Sequence, residues 1–227
     1  MNAGAFDFEG GDAKMSRRNT FCRHNVKVAS YVLLAMTVGW MAGCGGARPM
    51  QYYQLTVPAD KPRSEANASG VSLALGPLMT SHLYREDRIV YSAGTTRMGT
   101  YEFQRWTEPP AEMIQEVLLR GLRASGRYRD VSLQRSNSRA DYVLHGRLYD
   151  FKEIAGEALQ ARVTAEFDLK DVKSGETVWS HYYNHDEAVS GKDVPAMVAA
   201  LDRNVQRGVE EIKASLDQYF SSLPANK

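Results

Sequence analysis

Cysteine is nearly absent from this sequence, whose 227 residues contain only Cys22 and Cys44. Two isolated cysteines provide neither a CxxC redox pair nor a cysteine-ligated zinc site, and no later cysteine is present to act as a nucleophile. The chain after Cys44 therefore has no internal disulfide, and its core must be held together by packing alone.

An excess of charge of either sign is also lacking. The 28 Lys and Arg residues are balanced by 27 Asp and Glu residues. Residues 1–43 hold five of the basic and three of the acidic residues, which leaves 23 against 24 and a net charge of −1 for residues 44–227. Proteins that bind nucleic acids usually carry a basic excess, so we expect no nucleic-acid partner.

Motifs for catalysis, metal binding or phosphate binding are missing as well. No GxSxG or HExxH sequence occurs. His181 and His185 lie in a segment with strand character, where four residues span about 13 Å, too far for two ligands of one zinc ion. Residues 94–99 have the glycine spacing of a phosphate loop, but Thr100 and Tyr101 stand where that loop requires Lys and Ser or Thr. We predict no enzyme, no cofactor and no metal, although acidic residues converging from distant positions would leave no motif.

The N-terminal region contains a basic stretch followed by an apolar one. Residues 28–40 are apolar, and small residues follow directly before Cys44. This order is typical of a secretory signal, whose apolar part spans about 7–15 residues, whereas a transmembrane helix needs about 20. Met41-Ala42-Gly43-Cys44 resembles the lipobox at which bacterial lipoproteins are cleaved and acylated. We predict lipidation of Cys44, with an uncleaved anchor or a buried helix as alternatives. The basic residues are Arg17, Arg18, Arg23 and Lys27.

The segment before the basic stretch does not fit a signal, because it carries three acidic residues. Met15 is followed by Ser-Arg-Arg, and we expect translation to begin there, with residues 1–14 a mis-assigned start. A precursor peptide spanning residues 13–17 would contradict this. The predicted organisation is a signal peptide over 1–43, a lipidated tether over 44–50, one domain over 51–221 and a tail over 222–227.

Hydrophobic periodicity predicts the elements of this domain. Residues 161–169 alternate strictly between apolar and polar, as in a strand with one buried face. Pro109 and Pro110 open a helix that ends at Gly126, and Asp193 caps a long helix over 194–220 with one apolar stripe. The order predicts a single-domain α/β sandwich with a mixed sheet and two main helices. Further strands are expected over 52–55, 71–75 (stopped by Gly76-Pro77), 88–91, 101–103, 128–133, 141–151 and 177–184.

Several of these segments together resemble the ABC-type transport auxiliary lipoprotein family of paraquat-inducible protein C-like lipoproteins. The most specific segment is Arg-Trp-Thr-Glu-Pro over 105–109, although Pro110 replaces the leucine expected after it. Order and spacing match over nearly all of residues 44–220. The other matching segments are Cys44, residues 52–55, 88–91, 140–144 and 161–169, and the C-terminal helix.

The resemblance implies an anticodon-binding-domain-like fold, similar to the N-terminal domain of TolB, and a non-catalytic role. Such lipoproteins accompany ABC transporters whose partner carries a mammalian-cell-entry domain and which move lipids between membranes. Because Gly45 rather than Asp follows the cysteine, we expect attachment to the outer membrane, on its periplasmic face. Self-association into a ring is compatible with this role. A free-standing envelope lipoprotein, either an assembly factor or a carrier of a small hydrophobic ligand, is the alternative.

Five residues are candidates for partner docking or for a structural role: Arg88, Tyr91, Arg105, Trp106 and Glu108. In the structural interpretation, Trp106 is buried just before the first helix, Glu108 lies near the positive helix N-terminus, and Arg105 pairs with Glu108. In the functional interpretation, these side chains form a docking surface.

Overall fold

A computed structural model describes residues 48–59, 69–94, 96–134 and 139–223. Cys44, the signal peptide and most of the tether lie outside these residues. Within these ranges, eight strands form one mixed sheet, and two long helices accompany it. The strands are β1 (Gln51–Tyr53), β2 (Ser69–Thr80), β3 (Arg88–Ala93), β4 (Arg97–Trp106), β5 (Tyr128–Leu133), β6 (Tyr142–Ala155), β7 (Gln160–Asp171) and β8 (Thr177–Ala188). The helices are α1 (Pro110–Ser125) and α2 (Val194–Ser222), with a short 3₁₀ turn over His82–Tyr84.

The sheet forks at β6. One edge of β6 pairs with β7 in antiparallel fashion along nearly its whole length, and β7 pairs with β8. The other edge pairs with β2 over its first half and with β3 over residues 153–155, both parallel. Strand β2 continues to β5, whereas β3 continues to β4 and β1. The long strand β6 is therefore shared by all parts of the sheet. On one edge it carries β7 and β8, and on the other it carries a β2–β5 branch and a β3–β4–β1 branch.

Both helices pack on the same face of the sheet. Helix α1 contacts β2 and β5, helix α2 contacts β7 and β8, and the two helices contact each other. Helix α1 starts at Pro110, where a missing amide costs nothing, and ends at Gly126, whose φ of 65° only glycine adopts easily. At the start of α2 the Asp193 carboxylate accepts a 2.9 Å hydrogen bond from the Ala196 amide. The result is a two-layer domain with one continuous core between helices and sheet.

The predicted elements are largely confirmed, including the mixed α/β fold, both helix starts and the strands over 161–169 and 177–184. The expectation that Gly76-Pro77 ends β2 is wrong, because β2 continues to Thr80. The pairing with β6 shifts register between Leu75 and Leu78, which absorbs a proline that has no amide to donate. The Gly76 carbonyl accepts a 2.6 Å hydrogen bond from the Gln115 side chain, so it keeps a partner where the pairing with β6 is irregular.

Neither helix within the described part of the chain is both long enough and apolar enough to span a membrane.

Candidate docking surface

The antiparallel hairpin of β3 and β4 brings the sequence-predicted residues together. Arg88 lies opposite Arg105 in the β3–β4 ladder, and the Trp106 amide donates a 2.7 Å hydrogen bond to the carbonyl of Asp87. Glu108 follows two residues later, just before α1. Four of the five candidates thus surround the point where β4 leads into the first helix. Tyr91 lies farther along β3.

Trp106 is a core residue. Its side chain is 1% exposed, and its ring lies 5.2 Å from that of Phe151 at a tilt of 48°. Its indole nitrogen is buried and has no hydrogen-bond partner among the described residues. A tryptophan in this environment offers almost no surface to a partner, which favours the structural interpretation.

The acidic group that Arg105 approaches is Asp87, at 4.0 Å between Nη1 and Oδ1, and not Glu108; within the described residues this buried Nη1 has no hydrogen-bond partner. Its side chain is only 13% exposed. The expectation of an Arg105–Glu108 pair is therefore wrong: the β-ladder turns Arg105 toward the segment before β3, while Glu108 remains exposed to solvent.

Tyr91 is half-buried and lies against Tyr101, with the two rings 5.2 Å apart and nearly perpendicular. The Tyr101 hydroxyl donates a 2.9 Å hydrogen bond to Glu153, a carboxylate that is 7% exposed. Burial, together with the neighbouring Glu153 carboxylate, raises the pKa of Tyr101 well above its usual range. This cluster joins the β3–β4 branch to β6 and is structural.

Only two of the five candidates, Arg88 and Glu108, present exposed side chains to a partner. They are accompanied by exposed Arg85 and Glu86, and Glu86 pairs with Arg88 at 3.1 Å. We name these four residues the Arg88 rim. Its ion pair is exposed and contributes little to stability, so these charges are free to be exchanged for contacts with a partner.

A second surface, not identified from the sequence, is the face of β6, β7 and β8 opposite the helices. Neither described helix covers this face. Arg162 on β7 binds Asp186 on β8 through two parallel hydrogen bonds of 2.7 and 2.6 Å. Those bonds lower the pKa of Asp186 below its ordinary value. Tyr149 and Tyr182 are 43% and 60% exposed here. The polar residues that alternate with apolar ones over 161–169 were the available signal in the sequence. The same pattern is expected for any strand face exposed to solvent, so it did not indicate a special surface.

Helix α2 itself carries a fully buried polar residue on the side facing the sheet, Asn204, which was also missed. Its side chain is 0% exposed and bonds to groups on both β7 and β8. A polar residue within the apolar stripe of α2 was the available signal. His181, on the helix side of β8, contacts Glu211 of α2 at 3.1 Å and is 17% exposed.

Among the described residues, one apolar cleft lies between α1, α2 and the sheet, and a second lies between α1 and the sheet. The larger has a volume of about 20 Å³, room for about one water molecule, and the second has about 10 Å³. Within the described ranges, no group of three or more His, Cys, Asp or Glu side chains could hold a metal ion. Within the described residues, the exposed surfaces are therefore the better candidates for a functional site.

Fold and surfaces define a two-layer α/β domain that presents charged and polar surfaces around a packed core. The chain belongs to the family of ABC-type transport auxiliary lipoprotein components, whose model matches residues 53–213.

Solved structures with a similar fold include the following two. Protein XCC0632 from Xanthomonas campestris is 18% identical, with a TM-score of 0.67 over 76% of this chain and 99% of that one. An uncharacterised protein is 13% identical, with a TM-score of 0.59 over 74% of this chain and 99% of that one. No curated protein matches the chain.

Proposed function

We propose that this protein is a non-catalytic lipoprotein, acylated at Cys44 and anchored at the periplasmic face of the outer membrane. It acts there as a docking component for the mammalian-cell-entry-domain protein of an ABC-type lipid transport system. The observation that carries the proposal is the family match, which extends over nearly the whole folded domain. The lipobox before Cys44 and the Gly45 that follows it support the anchor and its location.

The proposed docking surface is the Arg88 rim. Its side chains are exposed, whereas Arg105 and Trp106 behind it are held in place by the Asp87 contacts and the core. Charged side chains on a rigid support steer and orient a partner more than they add affinity. Self-association of the domain is compatible with this arrangement, because the rim occupies only one corner of the sheet.

The alternative of a small-ligand carrier gains no support from the core. A cleft of about 20 Å³ is far smaller than the roughly 300–1,000 Å³ of small-molecule pockets. The assembly-factor alternative also acts by surface contact, and the experiment below separates it from the proposed role.

The test is crosslinking of the acylated protein in native membranes, followed by mass spectrometry of the captured proteins. We expect recovery of a mammalian-cell-entry-domain protein from the unaltered chain and loss of that recovery when Cys44 is replaced by Ser. Recovery of only unrelated envelope proteins would contradict the transport role.

Charge reversal of the rim tests the docking surface itself. The double variant Arg88→Glu with Glu108→Arg is expected to lower the recovery several-fold while leaving the protein folded. Lys173→Glu, an exposed charge reversal in the turn between β7 and β8, is the matched control. Equal recovery from both variants would remove the rim as the docking surface while leaving the transport role standing.

A further inference from the structure

The start of β1 shows on which side the tether leaves the domain. Strand β1 runs parallel to β4, with Gln51 beside Gln104 and Tyr53 beside Trp106. Because the two strands are parallel, the chain enters β1 from the end of the sheet at which β4 begins, at Arg97. At that start, β4 joins β3 in a hairpin in which Ala93 pairs with Arg97 and Ser92 with Met98.

Chain length limits how far an acylated Cys44 can lie from this hairpin. Gln51 lies seven positions after Cys44, and at about 3.5 Å per position this stretch spans at most about 25 Å. Gln104 likewise lies seven positions after Arg97, a distance of about 23 Å along a strand. A bilayer that holds Cys44 thus lies within reach of the end of the β3–β4 hairpin.

The end of this hairpin carries side chains suited to a lipid surface. Met98 is 47% exposed and Arg97 is exposed. Arg97 makes no ion pair with any residue in the described ranges. A flexible apolar side chain beside a free guanidinium matches the boundary between acyl chains and lipid phosphates.

Two contacts hold the described strand residues near the end of this hairpin. The Ser92 hydroxyl donates a 2.9 Å hydrogen bond to the carbonyl of Gly94 at the turn. The Tyr91 ring packs over Gly99, where a Cβ would meet ring atoms at 2.5 Å. A flexible loop would lose entropy on meeting the membrane, whereas this hairpin has already lost it.

We propose that the end of the β3–β4 hairpin, formed by Ala93, Gly94, Arg97 and Met98, rests on the lipid bilayer to which Cys44 is attached. Met98 enters the headgroup–acyl boundary and Arg97 binds lipid phosphates. The inference rests on the proposed acylation of Cys44. A short tether holds the hairpin at high effective concentration near the surface, so a contact too weak to bind alone suffices. The contact gives the anchored domain a fixed orientation toward its partner.

The test uses the full-length, processed and acylated protein in vesicles of phosphatidylethanolamine and phosphatidylglycerol. After processing and acylation no thiol remains, so Met98→Cys introduces a single site for an environment-sensitive fluorophore. Met79→Cys on β2 is the matched control, because Met79 is 51% exposed and Met98 is 47% exposed. We expect quenching by nitroxide-labelled lipid to be at least about threefold stronger at position 98. Equal quenching at both positions would overturn the inference.

Two further measurements separate the ways of failing. Adding Arg97→Glu to Met98→Cys should reduce the quenching at least about twofold, and an unchanged value would overturn the assignment of Arg97. Labelling of the parent protein without an introduced cysteine would show that Cys44 is free, which would overturn the proposed anchor and the hairpin contact together. Weak quenching at position 98 in a chain that takes up no label at Cys44 would overturn the hairpin contact alone.

Discussion

The Tyr183 hydroxyl on β8 donates a 2.7 Å hydrogen bond to the side-chain oxygen of Asn204 on α2, and both groups are buried. The amide of Asn204 in turn donates to the carbonyls of Ala161, at 2.8 Å, and His185, at 2.9 Å. One side chain thus joins the long helix to two neighbouring strands. Apolar burial is non-directional, whereas a fully satisfied buried network specifies one position of the helix on the sheet.

Replacing Asn204 by Ala should therefore destabilise the domain by about 2–3 kcal/mol, because it leaves a buried hydroxyl without its side-chain acceptor and removes two donors. Urea unfolding of the domain measures this as a lower midpoint with an unchanged slope. Tyr183→Phe is the matched control: it removes only the hydroxyl and should cost about 1 kcal/mol. Equal midpoints for Asn204→Ala and the unaltered chain would show that the network contributes nothing to stability.

Trp106→Ala separates the structural from the docking interpretation of the Arg-Trp-Thr-Glu-Pro segment. Since Trp106 is 1% exposed and packs on Phe151, its truncation should cost about 3–5 kcal/mol. Glu108→Ala, two residues away and exposed, should change the free energy of unfolding by less than about 0.5 kcal/mol. Thermal and urea unfolding measure both. A Trp106→Ala protein of full stability that no longer captures a partner would establish the opposite interpretation.

Strict periodicity explains which elements could be predicted from the sequence. Residues 161–169 and the apolar stripe of α2 each bury one face, so their patterns specify both element type and orientation. The extension of β2 past Pro77 could not be predicted, because it depends on a register shift against β6 and on the Gln115 side chain. The forked sheet depends on pairings between strands far apart in sequence, which no local pattern contains.

The candidate site was predicted in part. The Arg-Trp-Thr-Glu-Pro segment over 105–109 identified the end of β4 as a candidate site. It did not show which of its side chains are exposed. Arg105 turns toward Asp87 because of its ladder position opposite Arg88, a relationship that exists only in the folded sheet. For the same reason the pairing of Arg162 with Asp186 could not be predicted, because it depends on the register of the β7–β8 ladder, in which the two residues lie opposite each other.

The two helices approach each other closely at Gly121, where a Cβ would lie 2.9 Å from a methyl carbon of Val209. Alanine normally stabilises a helix interior by about 1 kcal/mol relative to glycine. Gly121→Ala should instead destabilise the domain by about 1–3 kcal/mol, because it overpacks the helix contact. Adding Val209→Ala should recover part of the loss, and urea unfolding of the two single variants and the double variant measures that coupling. A more stable Gly121→Ala protein would show that the helices separate freely.

The Arg162–Asp186 pair, on the sheet face opposite the helices, predicts how the free energy of unfolding of the domain depends on pH. Paired hydrogen bonds from Arg162 hold the pKa of the Asp186 carboxyl below its ordinary value, which is near 3.9 in an unfolded chain. A group whose pKa is lowered by folding stabilises the native state above its unfolded pKa. That stabilisation disappears as the pH falls from about 4 through the native pKa.

Asp186→Asn should therefore destabilise the domain at pH 7 by about 1 kcal/mol, a modest value because both side chains are partly exposed. The difference from the unaltered chain should begin to shrink as the pH falls below about 4, where the carboxyl of the unfolded chain takes up a proton, and it should be lost only below the lower native pKa. Urea midpoints at pH 7, 5 and 3.5 measure it. Arg162→Gln, which removes the other partner, should show the same narrowing. A difference that stays constant over this range would mean that Asp186 stabilises the sheet through packing and not through its charge.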